Sequence, residues 1–233
     1  MASETVHYDP EKVKGIYAET YASFLALPGF ASERKFLRHR FELISKLAGK
    51  PLDASVTYLD LGCGLGIKTR ILAEYFENSH GVDFVDRCIQ IASMLNDRPG
   101  LVFETMDATD TPENQYGVVT AFGLSVFNVS EPQQAAKAMV KSAQDFLTSN
   151  GWLMVYSFSD FSGKAPSGWY NHTPAELKTT VGYLVQSGLK ARLIFPHRHL
   201  SNYTGNGLRH LVAEVLKLVS RKRRDYYIVI EKP

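Results

Sequence analysis

Cysteine is almost missing from this chain of 233 residues: there are two, Cys63 and Cys88. They supply neither a disulfide framework nor a metal knuckle. No apolar run approaches the roughly 20 residues that a bilayer span requires. The opening Met1-Ala2-Ser3-Glu4-Thr5 lacks a basic stretch leading into an apolar one, so no signal peptide is expected. Surplus charge is also lacking. The 26 Lys and Arg stand against 24 Asp and Glu, for a formal net charge of +2. That balance gives no electrostatic ground for an obligatory nucleic-acid partner. Internal repeats and low-complexity segments are absent. What is left is the composition expected of a soluble, cytoplasmic chain, 45% hydrophobic and 21% charged, able to bury one substantial core.

What is present is a steady alternation of strand and helix signals. Ahead of it, Pro10 to Leu27 carries Val13, Ile16, Tyr17, Tyr21, Phe24 and Leu25 at near-helical spacing. Ser32-Glu33 opens a second helix with Phe36, Leu37, Phe41, Ile44 and Leu47 on one face, closed by Gly49-Lys50-Pro51. The pattern then predicts strands over 56–61, 80–84, 101–105, 116–122, 151–158, 189–195 and 226–230. Between them it predicts helices over 67–77, 86–95, 131–147, 174–186 and about 208–219. Ser130 stands as N-cap of the 131–147 helix, with Pro132 in its first turn. Repeated strand–helix units with apolar strands predict a parallel sheet covered by helices on both faces. The two leading helices read as a cap on that sheet.

The richest stretch is Tyr58-Leu59-Asp60-Leu61-Gly62-Cys63-Gly64-Leu65-Gly66-Ile67-Lys68-Thr69. A strand ends in an acid, three alternating glycines follow, and a helix begins. Backbone can approach a ligand closely there. A dinucleotide fingerprint would place its third glycine at position 67, where this chain has Ile67. Cys63 inside the loop reads as a small side chain, since no His or Asp follows at the spacing a catalytic thiol needs.

This Asp-x-Gly-x-Gly-x-Gly segment resembles motif I of the class I S-adenosylmethionine-dependent methyltransferases. The resemblance is good from about residue 55 to 160 and looser beyond. It implies an α/β, Rossmann-like doubly wound sheet of seven strands in the order 3-2-1-4-5-7-6, strand 7 antiparallel, with an N-terminal helical cap. One domain over 1–233 is expected, with the cap over 1–50, a cofactor-binding core over 55–160 and acceptor-side loops and last strands over 160–233. The cofactor implied is S-adenosyl-L-methionine, the product S-adenosyl-L-homocysteine.

Such a nucleoside makes four demands at the strand tips. Its methionine part needs a close backbone turn, which Gly62, Cys63, Gly64 and Gly66 provide. Its ammonium needs acceptors: Asp60 and the carbonyls near Phe122 and Gly123. Its ribose needs a carboxylate, and Asp83, followed by Phe84, stands about twenty residues past the glycines. Its adenine needs an acceptor and apolar faces, matched by Met106-Asp107-Ala108. Each residue also has a plainer reading. Asp83 serves equally as an N-cap, Asp107 as a turn residue, Met106 as core. Acid, glycines, acid and acid nevertheless fall at three successive strand ends, in the family's order. One departure is Tyr116-Gly117, where the family commonly carries an aromatic residue and Asp.

Several acceptor classes are excluded by missing residues. Base-amino methylation uses an Asn/Asp-Pro-Pro-aromatic segment after strand 4, where this chain reads Ser125-Val126-Phe127-Asn128. A Pro-Cys nucleophile and paired glutamates are also missing there, and only Asp160 stands where a magnesium-dependent subclass clusters acids, so no metal is expected. What remains resembles the broad set of small-molecule and sugar methyltransferases, and this implies a small polar acceptor, O- or N-methylated, of the sugar or glycan-related type. The loop from Ser157 to Thr173 mixes Trp169 and Tyr170 with Asn171 and His172, stacking faces with hydrogen-bond partners. His172 is the candidate general base, with Asp160 as its orienter; the alternative is that Asn171-His172-Thr173 only caps the next helix. His197 and His199 form a second candidate, read more simply as loop residues. Tyr17 and Tyr21, one turn apart, form a lid or plain packing. The basic run Arg221-Lys222-Arg223-Arg224 is a solvated approach to an edge strand or a phosphate contact. The competing readings are a nucleic-acid methyltransferase and a non-catalytic relative that binds the cofactor.

Overall fold

The central strand β1, Tyr58–Leu61, is buried along its whole length, as an apolar run flanked by strands on both sides must be. The computed structural model describes residues 30–96, 98–161, 167–196, 212 and 223–233. Around β1 lie β2 (Ser79–Asp83), β3 (Leu101–Thr105), β4 (Tyr116–Phe122), β5 (Leu147–Asp160), β6 (Lys190–Ile194) and β7 (Arg223–Glu231). Their order is β3-β2-β1-β4-β5-β7-β6. The first five strands pair in parallel, while β7 runs antiparallel to both β5 and β6. This is the order and the one reversal that the resemblance implied.

The helices are α1 (Phe30–Ala48), α2 (Ile67–Leu72), α3 (Asp86–Leu95), α4 (Pro132–Phe146) and α5 (Pro174–Gln186). On one sheet face α1 and α2 cover Trp152, Met154, Tyr227 and Val229. Phe41 of α1 stacks on Trp152, ring centres 5.8 Å apart. On the other face α4 and α5 seal Leu59, Val119, Leu153 and Ile228, through Ala136, Met139, Ala143, Leu177 and Leu184. Adjacent strand residues therefore serve opposite cores, the period-2 rule of a sheet buried on both sides.

Several boundaries differ from expectation. α2 stops at Leu72 and continues as a 3₁₀ turn, Ala73–Tyr75. The N-cap of α4 is Glu131, not Ser130, because Pro132 takes the first helical position. β5 reaches Asp160 and β7 begins at Arg223, since each supplies the other's partner from Asp160↔Arg223 to Trp152↔Glu231. The polar start Arg223-Arg224-Asp225 conceals that strand in the sequence. At Gly117 a Cβ would lie 2.8 Å from Val56 Cβ, so the departure from the family's Asp fits a close approach. The helices expected over 10–27 and 208–219 lie outside the described residues, save Val212, which is helical.

Candidate cofactor and acceptor site

The glycine loop is held by backbone. Gly62 and Cys63 both donate to the Val82 carbonyl, at 2.8 and 2.9 Å, tying the loop to the tip of β2. Gly62, Gly64 and Gly66 sit at φ of 76°, 53° and 73°, in the left-handed region that only glycine adopts at little cost. Space demands glycine as well. A Cβ on Gly62 would be 2.5 Å from Leu124 Cδ1, and one on Gly66 would be 2.5 Å from the Phe103 ring. Cys63 is a small filler: burial pushes its thiol well above its ordinary value, which keeps it protonated.

Asp83 closes the loop from the next strand. It is 2% exposed. One carboxylate oxygen accepts the Gly64 amide at 2.9 Å, the other the Val85 amide at 3.0 Å. Burial raises its pKa, opposed by the amides of Val85, Gly64 and Phe84. The plainer reading is thus part of the truth, since Asp83 does bind the backbone at the start of α3. It also stands at the tip of β2 with Phe84 half-buried beside it. Met106 donates its amide to the Asp83 carbonyl at 3.0 Å, joining the β3 tip to the β2 tip. Asp107 Oδ1 accepts the Thr109 amide and hydroxyl, both at 2.8 Å, a turn motif. Met106 and Ala108 pack against the α4–α5 core. Asp83, Asp107 and the three glycines are thereby gathered along the ends of β1, β2 and β3.

Asp60 is tied into the protein through both of its oxygens. It is 1% exposed, and its two oxygens accept the hydroxyls of Thr69 at 2.6 Å and Thr120 at 2.9 Å. Thr120 shares a further 2.7 Å bond with the Tyr58 hydroxyl. Burial raises the Asp60 pKa against these bonds. The carboxylate fastens α2 to β4.

At the other end of the site Gly123, at φ 68°, donates to the Tyr156 carbonyl at 2.9 Å. Trp169 reaches it: its Cη2 lies 3.7 Å from where a Gly123 Cβ would stand. Trp169 stacks on Phe158, centres 5.1 Å apart and planes 13° apart, and donates Nε1 to the Phe158 carbonyl at 3.0 Å. The next residue is clamped by Asn128, which accepts the Tyr170 amide at 2.7 Å and donates to its carbonyl at 2.9 Å. Asn171 Oδ1 accepts the Asp160 amide at 2.7 Å. Tyr170 OH donates to Glu176 Oε1 at 2.7 Å, and Thr173 with Glu176 forms a capping box on α5. Residues 169–173 are held by these polar contacts.

His172 was the expected base, and its position argues otherwise. Its side chain is turned to the α4–α5 face, where it lines a cavity of about 10 Å³ with Leu124, Met139, Ser157, Thr180 and Tyr226. It is 3% exposed. Burial lowers its pKa to about 4, only partly offset by Glu176, so it is neutral and weakly basic. Asp160 does not orient it; Ser159 Oγ donates to its backbone carbonyl at 2.8 Å instead. Tyr17, Tyr21, His197 and His199 lie outside the described residues.

The sequence reading passed over two groups. Asn128 appeared only in a segment that failed a motif, although a buried Asn beside a loop is a standard loop clamp. Tyr156 and Asp225 were also missed. The Tyr156 hydroxyl donates to Asp225 Oδ1 at 3.2 Å, and Asp225 is 5% exposed. Strand alternation puts both on the face of Phe158 and Phe122, opposite His172. An acid directly before the aromatic pair Tyr226-Tyr227 was the available signal.

A family model for a methyltransferase domain matches residues 30–215. A search of curated proteins returns no match. Among solved structures, an S-adenosylmethionine-dependent methyltransferase from Mesorhizobium loti aligns with a TM-score of 0.59 at 14% identity, covering 88% of this chain and 100% of that one. A putative S-adenosylmethionine-dependent methyltransferase from Listeria monocytogenes aligns at 0.54 and 18%, covering 84% and 99%. Phosphoethanolamine N-methyltransferase 2 from Haemonchus contortus, in complex with S-adenosyl-L-methionine, aligns at 0.54 and 13%, covering 84% of this chain and 52% of that one. The chain spans about half the length of that nematode enzyme. Family match and strand order agree with one another, and the chain belongs to the S-adenosylmethionine-dependent methyltransferases of class I.

Proposed function

We propose that this chain moves the methyl group of S-adenosylmethionine to an oxygen or nitrogen of a small polar acceptor, of the sugar or glycan-related class. The observation that carries this reading is the wall beside Gly123. There the Phe158–Trp169 stack stands next to the Tyr156–Asp225 pair on one face of the sheet tip. A flat apolar platform beside a hydroxyl–carboxylate pair suits the C–H face and the hydroxyl or amino groups of a polyhydroxylated ring.

When bound, the cofactor supplies an electrophilic methyl on a sulfonium centre. The chain's own part is alignment and proton handling. The loop from Gly62 to Gly66 and Asp83 hold the nucleoside end, and the clamped segment from Trp169 to Asn171 walls the acceptor side. In-line displacement gains much of its rate from such positioning. Asp225, held against the Tyr156 hydroxyl, is the group proposed to take the acceptor's proton. His172 supports the wall from the opposite face.

Two measurements test this reading. Calorimetric titration with S-adenosylmethionine and with NAD is expected to give binding of the first only, and Asp83→Ala is expected to raise its Kd by about 100-fold. Labelled methyl donor should then mark amino sugars, sugar nucleotides or related small polar compounds. Label entering only RNA, or tighter NAD binding, would overturn the proposal.

A further inference from the structure

The amino-acid end of S-adenosylmethionine carries a carboxylate as well as an ammonium. The residues gathered at the first three strand tips are themselves acids: Asp60, Asp83 and Asp107. A carboxylate placed among them is unfavourable without a cation. From the position of its side chain we infer that Lys68 is that cation and holds the cofactor's carboxylate.

Lys68 is the second residue of α2, two positions beyond Gly66. It is half-buried, and its Nζ stands 5.8 Å from the centre of the Phe122 ring. Phe122 is the last residue of β4, directly before Gly123. The glycine loop and the β4 tip already touch here, because Leu124 fills the space a Gly62 side chain would need. Lys68 therefore spans the two walls between which the amino-acid end must lie. The ammonium is near enough to Asp60 to lower that group's pKa, but both Asp60 oxygens are engaged by Thr69 and Thr120. Lys68 enters none of the ion pairs among the described residues. The ring face steers the ammonium without using its N–H donors. A flexible stem with three donors suits a carboxylate arriving with the ligand.

The inference rests on the cofactor assignment, and its test separates the two. Wild-type protein and Lys68→Met are titrated calorimetrically with S-adenosylhomocysteine and with decarboxylated S-adenosylmethionine, which keeps the ammonium and lacks the carboxylate. Thermal unfolding of the variant verifies that it is folded. The expected result is a loss of roughly 10-fold or more toward S-adenosylhomocysteine in Lys68→Met, an unchanged affinity for the decarboxylated compound, and substantial recovery in Lys68→Arg. Equal losses toward both ligands, or no loss toward either, would overturn the role. So would an effect confined to the KM of the methyl acceptor. Failure of the wild-type protein to bind either compound would remove the cofactor assignment, and this inference with it.

Discussion

The two halves of the site are built by different means. At the tips of β1, β2 and β3 the surface proposed to face the nucleoside is mostly backbone, shaped by left-handed glycines and tied by amide-to-carbonyl and amide-to-carboxylate bonds. At the tips of β4, β5 and β7 it is side chain: stacked aromatics, an asparagine clamp and a tyrosine–aspartate pair. Backbone suits an invariant ligand, since few substitutions can alter its shape. Side chains suit a ligand that differs from one relative to the next. The nucleoside half is accordingly intolerant of added volume, whereas the acceptor half depends on particular hydrogen bonds.

Gly66→Val should give the largest effect, because it breaks the nucleoside half on two counts. It forces a β-branched residue to φ 73° and drives a Cβ into Phe103 and Asn96. The two costs together come to about 4 kcal/mol, read as a fall in the denaturant midpoint. A stability equal to wild type would mean that the loop is not tightly held.

His172 sharpens the contrast through pH. Its pKa is lowered to about 4 from an ordinary 6.5, so the unfolded chain takes up the proton first. Its contribution is intact above about pH 6.5 and is lost as pH falls from there toward 4, a change of at most about 3 kcal/mol. Thermal midpoints measured over that range should converge for wild type and His172→Gln at the acid end. Parallel curves would contradict the burial.

Asn128→Leu is the smallest of the three. It strips both partners from the Tyr170 backbone, a loss of about 2 kcal/mol, and frees Trp169 to leave Gly123. Turnover should fall while affinity for S-adenosylhomocysteine stays within about twofold. A matching fall in cofactor affinity would show that the two halves are not separable.

The same division governs what could be read from the chain. The proposed nucleoside half follows local rules: strand, acid, glycines and helix are contiguous from Tyr58 to Thr69, Asp83 ends β2, and Asp107 stands two residues beyond β3. The proposed acceptor half is assembled from Asn128, Tyr156, Trp169 and Asp225, which lie far apart in sequence: Asn128 clamps the segment at Tyr170, and Asp225 meets Tyr156 because β7 runs antiparallel beside β5. His172 was misjudged for the same reason. Its neighbours Asn171 and Trp169 mark a polar loop, but which sheet face a loop side chain enters is decided by packing that no local pattern records. The Asp60 partner Thr69 is close in sequence, whereas Thr120 becomes visible only when β4 is placed beside β1.

The reversal of β7 has a consequence for how the proposed acceptor side is framed. β6 finishes, and β7 starts, at the same end of the sheet as the wall of Phe158 and Trp169. The rungs from Ile194↔Tyr227 to Lys190↔Glu231 and from Asp160↔Arg223 to Trp152↔Glu231 hold both strand ends beside that wall, so paired backbone rather than any single loop sets where the proposed acceptor would enter.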